Sequence, residues 1–478
     1  MNKVYLQILS IVVLAFLSSC EKTGDRNENK YPETKIAFES IDLSGDDRLS
    51  SSVRLSWFGT DSDGYITGFE ISIDDGEWQY TNAQDSTFKF SIPAGSDSAD
   101  IEFAVRAIDN DDNIDQSPAI LSVPIKNSTP IATIDNSTIK GDSTLVVLSF
   151  DWEGTDPDGF ETLEKAYIKA NNGSWSELDF SQGTNLISVV PSQPDQQGQQ
   201  SADIYIGQED SPNATIDGFI NGDSNTFYIK VADIAGKESE PDTSNTVFFR
   251  DINSDLLMVT GQPETVTDQY RSILNNVYPN YNIYNISQNT RLPRYFNPTF
   301  KLLIQQFDKV FFNTDSQIFT NLNNQQEGLL LNFATPSLLE FTNDGGKLFI
   351  TTSFTSGQDL SAIAGVLPFE ELSTGPGSAD LYPDSTVYSN DSNYPNLKSG
   401  SVVFSMDPVV PTADAEPFYF ANFNNYQNWS DNVIGIKRTG ANNNVNQILF
   451  AVELYTLSGN QQNLENLFDT ILNDEFDW

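Results

Sequence analysis

The chain has 478 residues, room for roughly two to four domains. Its 25 Lys+Arg against 67 Asp+Glu leave a formal charge of −42, a surface that repels nucleic acid and anionic headgroups and suits divalent cations or neutral ligands such as sugars. There is no histidine and one cysteine, Cys20, so the commonest general base, the commonest transition-metal ligand, an intrachain disulfide and a CxxC site are all excluded.

The N-terminus accounts for that cysteine. A short basic start, "MNK", leads into "VYLQILSIVVLAFL", an apolar run too short and too early for a confident membrane span. "LSSC", Leu17 to Cys20, follows and resembles the lipobox of bacterial lipoproteins. The resemblance implies a signal peptide over 1–19 and acylation of Cys20 as the first mature residue. Each buried methylene of an acyl chain adds roughly 0.8 kcal/mol, so several chains hold a domain on a bilayer. Glu21, where the family's inner-membrane retention signal would have Asp, implies the outer membrane, with the leaflet open. Cys20 and the polar stretch to residue 34 are expected to form a flexible tether.

Self-comparison reveals a repeat with an offset of 95 residues. "LSWFGTDSDG" ends at Gly64 and "FDWEGTDPDG" at Gly159; a second Trp follows in each copy, Trp78 and Trp175. The strand-like segments "IEFAVRAIDNDDN" and "TFYIKVADIAGKE" close the copies. Segments such as "VRLSW", "GFEISID" and "FKFSI" alternate apolar and polar between Gly/Asp/Asn/Ser clusters, the pattern of an antiparallel sandwich. The copies, 35–127 and 128–251, resemble fibronectin type III and immunoglobulin-like domains. The second carries an insertion, "PSQPDQQGQQSADIYIGQEDSPNATIDGFINGDS".

"GTDSDG" also imitates a calcium loop. Asp61, Asp63, Gly64, Ile66 and Glu70 fall at positions 3, 5, 6, 8 and 12 of an EF-hand pattern, but position 1 is Gly59 and the flanks read as strands. A tight turn is the simpler reading, with Asp accepting backbone N–H groups and Gly supplying a positive φ. The alternative is a calcium site outside the EF-hand class, joining Asp61 and Asp63 to Asp109, Asp111 and Asp115 of "DNDDNID". No other cofactor is expected.

After residue 251 the pattern changes. "DLLMVTGQ", "YNIYNIS", "KVFFNTD" and "GKLFITTSF" read as strands. "ETVTDQYRSILNNVY", "FKLLIQQF", "EGLLLNFATPSLLEF" and the terminal "NLENLFDTILNDEF" read as helices. This order, with "LLMVTG", "DKVFFNTD", "GGKLFITTSF" and "FAVELYTL", resembles the flavodoxin-like domain of the class I glutamine amidotransferase-like superfamily over 252–478. A polar insertion at 355–432 is expected either to fold over the sheet or to stay mobile. The resemblance implies the fold and not the chemistry. That family's Cys nucleophile and His are absent, "KLFI" being followed by Thr351, Thr352 and Ser353, and Asp315 is the sole acidic group expected at the same sheet edge.

The fold class expected is thus two all-β immunoglobulin/fibronectin III-like sandwiches followed by an α/β flavodoxin-like three-layer domain. A ligand in such a domain sits outside the carboxyl ends of the strands. That rim is Gly261, Gln262, Asn313, Asp315, Thr352 and Ser353, with Thr260, Thr314 and Thr351 beside them. It is neutral and hydrogen-bonding, which fits a sugar better than an anion. The aromatic run "EPFYFANFNNYQNW", 416–429, reads either as a buried strand and loop or as a sugar-stacking surface. The leading expectation is a non-catalytic, membrane-tethered binding or scaffold lipoprotein of the outer membrane, its partners the membrane, glycans or envelope proteins. The alternatives are a carbohydrate-active hydrolase using a carboxylate pair and a structural partner in an envelope complex.

Overall fold

The computed structural model describes residues 29–477 except 39–40, 42, 44–46, 94, 181–184, 288–291, 356, 374–376 and 427–431. Residues 1–28, with Cys20, the expected signal peptide and most of the expected tether, lie outside the described residues. The chain is mostly β-sandwich. It divides into a first unit, ending at Thr129 but including 156–162 and 234–237, and a second unit made of the rest.

In the first unit, alternation along Ser52–Thr60 turns Val53, Leu55 and Trp57 inward. That strand lies between Glu33–Ile36 and Asp85–Lys89 in one sheet. The facing sheet runs Leu49–Ser50, Ala119–Lys126, Ser98–Asp109, Ile66–Ile73, Gln79–Thr81. The chain therefore crosses between sheets from Ser52–Thr60 to Ile66–Ile73 and again from Asp85–Lys89 to Ser98–Asp109, as in immunoglobulin and fibronectin III sandwiches. Trp57, 2% exposed, anchors the core, its ring 6.3 Å from Phe69 and 5.8 Å from Phe103.

The repeat motif marks the corner where the chain crosses between sheets. A Cβ on Gly59 would lie 2.9 Å from that of Ala107, and one on Gly154 3.0 Å from Val231. Glycine therefore lets the crossing segment pass close under the facing strand in both copies. The second Trp of each copy lies under a cation from the late strand. The Arg106 guanidinium is 4.1 Å from the Trp78 ring, and the Lys230 ammonium is 5.0 Å from the Trp175 ring.

The second unit begins with the other sandwich. One sheet runs Ala214–Asn221, Gly198–Ile206, Leu186–Pro191, Leu148–Thr155, Ile131–Asp135; the other runs Ser176–Leu178, Leu163–Ala170, Phe227–Asp233, Asp242–Thr243. The insertion of this copy is itself a hairpin of that first sheet, because Ala202, Ile204, Ile206, Ile216 and Phe219 give it a buried face.

The rest of the second unit is built on a nine-stranded sheet. Five strands run parallel in the spatial order Asn282–Asn285, Leu256–Thr260, Lys309–Asn313, Lys347–Thr351, Val445–Phe450. Their near-continuous apolar sequences follow from burial on both faces. Leu257, Val259, Phe312 and Ile350 join one core with Phe300 and Leu338 of helices Phe296–Ile304 and Leu330–Asn343. Leu256, Met258, Phe311 and Phe349 join the other with Tyr270 and Phe468 of helices Glu264–Val277 and Gln461–Asp469. Leu145, Val146, Val147 and Val190 of the second sandwich belong to the first of these cores.

The insertion 355–432 folds partly over the sheet, Ile363, Leu367, Phe369 and Val409 joining the core of Leu257 and Val259, and partly extends it. Its strands Thr386–Ser389, Leu397–Lys398 and Ala415–Ala421 continue the central sheet sideways through the antiparallel Val433–Thr439. Sparse but fully buried Val387, Leu397, Phe418 and Tyr419 hold them there. In the described part of the aromatic run Phe418 and Tyr419 are core, and Phe420 and Phe423 are half-buried against it. Residues 427–429 lie outside the described residues.

Candidate functional site

Register sets the site. Thr260, Asn313 and Thr351 stand side by side at the carboxyl ends of three parallel strands. Their side chains are spent on the fold. Thr260 Oγ1 donates to Asn313 Oδ1 at 2.8 Å, Asn313 Nδ2 donates to the Val259 carbonyl at 3.1 Å, and Thr351 Oγ1 donates to the Val452 carbonyl at 2.6 Å. Gly261 is a packing position: a Cβ there would meet Leu330 at 2.7 Å and Thr314 Oγ1 at 2.8 Å. Thr352 is 1% exposed. Of the six residues expected to contact ligand, Gly261, Asn313 and Thr352 are therefore removed from the surface by packing and by this hydrogen-bonded row.

The other three gather on a residue the sequence reading missed. Ser353 Oγ donates to Glu453 Oε1 at 2.7 Å, and Gln262 Nε2 donates to Glu453 Oε2 at 3.3 Å. Burial pushes the Glu453 carboxyl above the ordinary range, Ser353 opposes this, and the negative field of Asp315 adds to it. Asp315 is raised by burial too, against the Gln317 N–H that its carboxylate accepts at 2.9 Å. Burial, with Glu453 beside it, pushes the Tyr455 hydroxyl up to about 12. Ser353, Asp315, Glu453 and Tyr455 are all half-buried, so they form the accessible part of the rim, with buried Gln262 behind. The signal for Glu453 was present: it follows the strand ending at Phe450 much as Ser353 follows the strand ending at Thr351.

This cluster offers acceptors, a hydroxyl donor and a phenol at the edge of the sheet. Its hydroxyl and carboxylate also stand in the relation of a nucleophile to a base, with Gln262 orienting the carboxylate.

The acidic turns of the first unit are arranged otherwise. Asp109, fully buried, accepts the Asp111 N–H at 2.8 Å, the Asn113 N–H at 2.9 Å and Asn113 Nδ2 at 2.9 Å. Burial alone would raise its carboxyl; the Asn113 donors overcome that and hold it low. Asp115 accepts the Thr34 N–H at 2.7 Å and the Ser117 N–H at 2.8 Å. Asp63 is exposed and accepts the Lys30 N–H at 3.1 Å. Asp61 is pushed up first by burial and then by Asp63 and Asp109. Among the described residues no group of three or more acidic side chains is placed to hold one metal ion. Of the set Asp61, Asp63, Asp109, Asp111 and Asp115, Asp61 lies within the field of Asp63 and Asp109, while Asp109 and Asp115 turn oxygens onto N–H groups of their own unit.

In the second copy the same turn does a different job. Asp158, 1% exposed, accepts the Ser51 N–H at 3.1 Å, the Ser128 N–H at 2.7 Å and Ser128 Oγ at 3.0 Å. It holds its loop into the first unit.

No family model and no curated protein matches the chain. Among solved structures it is similar to fibronectin(III)-like modules of Clostridium thermocellum CbhA, at 9% identity over 46% of this chain and 94% of that one, TM-score 0.16. A two-domain fibronectin type III segment from chicken tenascin gives 10% identity over 46% and 99%, TM-score 0.20. A structure described as one of carbohydrate-binding modules from the β-sandwich superfamily gives 11% over 47% and 87%, TM-score 0.17. At TM-scores of this size the likenesses carry no argument, and the assignment of fibronectin III/immunoglobulin-like sandwiches rests on the strand order.

Proposed function

We propose that the protein is a non-catalytic lipoprotein of the outer membrane, held by acylated Cys20, that binds neutral glycans at the Ser353–Glu453 rim. In this reading the C-terminal part is an α/β domain of the flavodoxin-like kind. The five parallel strands in the order second, first, third, fourth, fifth support that, while the antiparallel extension and the small number of helices depart from it. The observation that carries the binding reading is the committed state of Glu453. Both its oxygens already accept hydrogen bonds, so the cluster is a preformed surface of donors and acceptors of the sort that recognises sugar hydroxyls. A glycan array probed with the full chain is expected to show neutral oligosaccharides retained, and Glu453→Ala or Ser353→Ala to lose at least roughly tenfold in affinity. A blank array, or binding indifferent to both substitutions, overturns this reading.

One observation favours a second reading, a hydrolase. The 2.7 Å Ser353–Glu453 hydrogen bond and the shared upward shift of Glu453 and Asp315 are what a hydroxyl nucleophile or a carboxylate pair would use. Turnover of a bound oligosaccharide that stops in Ser353→Ala or Asp315→Asn would establish it in place of the first.

A further inference from the structure

A cleft of about 830 Å³ opens in the second unit, away from the rim, and is lined by Lys140, Arg250, Arg271 and Arg294. In a chain with 25 cationic and 67 acidic side chains, four cations and one carboxylate, Glu264, around a single cleft is a reversal of the prevailing charge. Arg271 is internally neutralised, bonded to Glu264 at 2.5 Å and Asp268 at 2.6 Å. The other three cations are not matched in this way. Arg294 donates to a backbone carbonyl, that of Leu322. Lys140 and Arg294 act on Asp135, which Ser137 holds low first and their field second. Arg250, among the described residues, has no carboxylate in ion-pair contact.

Arg250 is well placed to wait for one. Its backbone is fixed as the last residue of Val247–Arg250, where its carbonyl accepts the Val146 N–H at 3.3 Å. Its guanidinium is exposed to solvent yet surrounded, and crowding draws its pKa below the ordinary arginine value. Concave, low-dielectric surroundings of this kind lengthen the reach of a charge and favour any anion that enters. The remaining lining suits a sugar more than a lipid or a peptide. Thr144 and Asn285 supply hydrogen-bonding groups and Tyr284 a ring, while the apolar members Leu145, Val147 and Leu148 are buried.

We propose that this cleft binds an acidic oligosaccharide, with Arg250, Lys140 and Arg294 receiving its carboxylate or sulfate groups and the polar lining its hydroxyls. The site is separate from the Ser353–Glu453 rim, and the two stand or fall independently.

Calorimetric titration of the full chain tests it, with four probes: an oligogalacturonate, a sulfated heparin-derived oligosaccharide, a neutral cello-oligosaccharide of the same length, and an oligoglutamate of the same charge. Binding is expected for one or both acidic saccharides. Any heat from the neutral one belongs to the rim and should be indifferent to the cleft substitutions, whereas acidic-saccharide binding should weaken as salt rises, since the contacts are partly exposed. Arg250→Gln should weaken it roughly tenfold or more, and the exposed Lys140→Gln should weaken it without moving the melting temperature. Glu453→Gln should leave it unchanged. No heat with either acidic saccharide, tighter binding of oligoglutamate, or equal affinity in both cleft variants would overturn the proposal. So would affinity lost in Glu453→Gln and retained in Arg250→Gln.

Discussion

Glu453 shows how one residue's chemistry depends on where the backbone leaves it. Its carboxyl is raised on folding, chiefly by burial. A carboxyl raised in this way favours the folded state fully below its unfolded pKa and loses that contribution as pH climbs through the folded one. Glu453→Gln should therefore raise the unfolding midpoint near pH 7 and give no gain near pH 4, where the glutamate is already protonated. Thermal scans at the two pH values check this, and an equal shift at both would refute it. At this scale the sequence was half legible. Asp315 and Ser353 could be placed because polar residues directly after apolar strands sit at the sheet edge. Glu453 hid in "FAVELYTL", an apolar run that masks its own strand end. Asn313 and Thr352 looked available by residue type, but register and burial decide what a polar side chain is free to do.

Among elements, the Asp-rich corners carry the plainest lesson. Sequence reading found a turn, and Asp61 and Asp156 do accept the N–H groups two residues on, but a positive φ is taken by Gly159 and not by Gly64. It could not tell that Asp63 stays in solvent while its counterpart Asp158 is buried in the first unit, because that depends on partners 30 residues or more distant in the chain, such as Ser128. Asp158→Ala should leave the Ser51 and Ser128 N–H groups without an acceptor and destabilise the first unit by about 1–3 kcal/mol. The early transition in a denaturant titration followed by Trp57 fluorescence reads this, and an unchanged midpoint would show that water replaces the carboxylate. The strands of the polar insertion were invisible for a related reason. One buried side chain per strand, as with Val387 and Leu397, is too little to register as periodicity, yet enough to anchor strands on an existing sheet edge.

For the whole molecule, the charge is a property of the sequence, and the proposed lipid attachment rests on the sequence alone, since Cys20 lies outside the described residues. Cys20→Ala is expected to move the protein from the membrane pellet to the soluble fraction after cell disruption, and retention in the pellet would rule out the acyl anchor. The two sandwiches, though not their strand order, and the alternation that follows residue 251 were readable from period and punctuation. The common core was not, since nothing local in "STLVVLSF" distinguishes residues that fill their own sandwich from residues that fill another layer. That shared core bears on where the polypeptide can be cut. Severed at residue 251, the downstream piece would lose Leu145, Val146, Val147 and Val190 as a lid over Phe300 and its neighbours. It would present a greasy, unguarded face prone to clumping, whereas a piece starting at Pro130 keeps its seal.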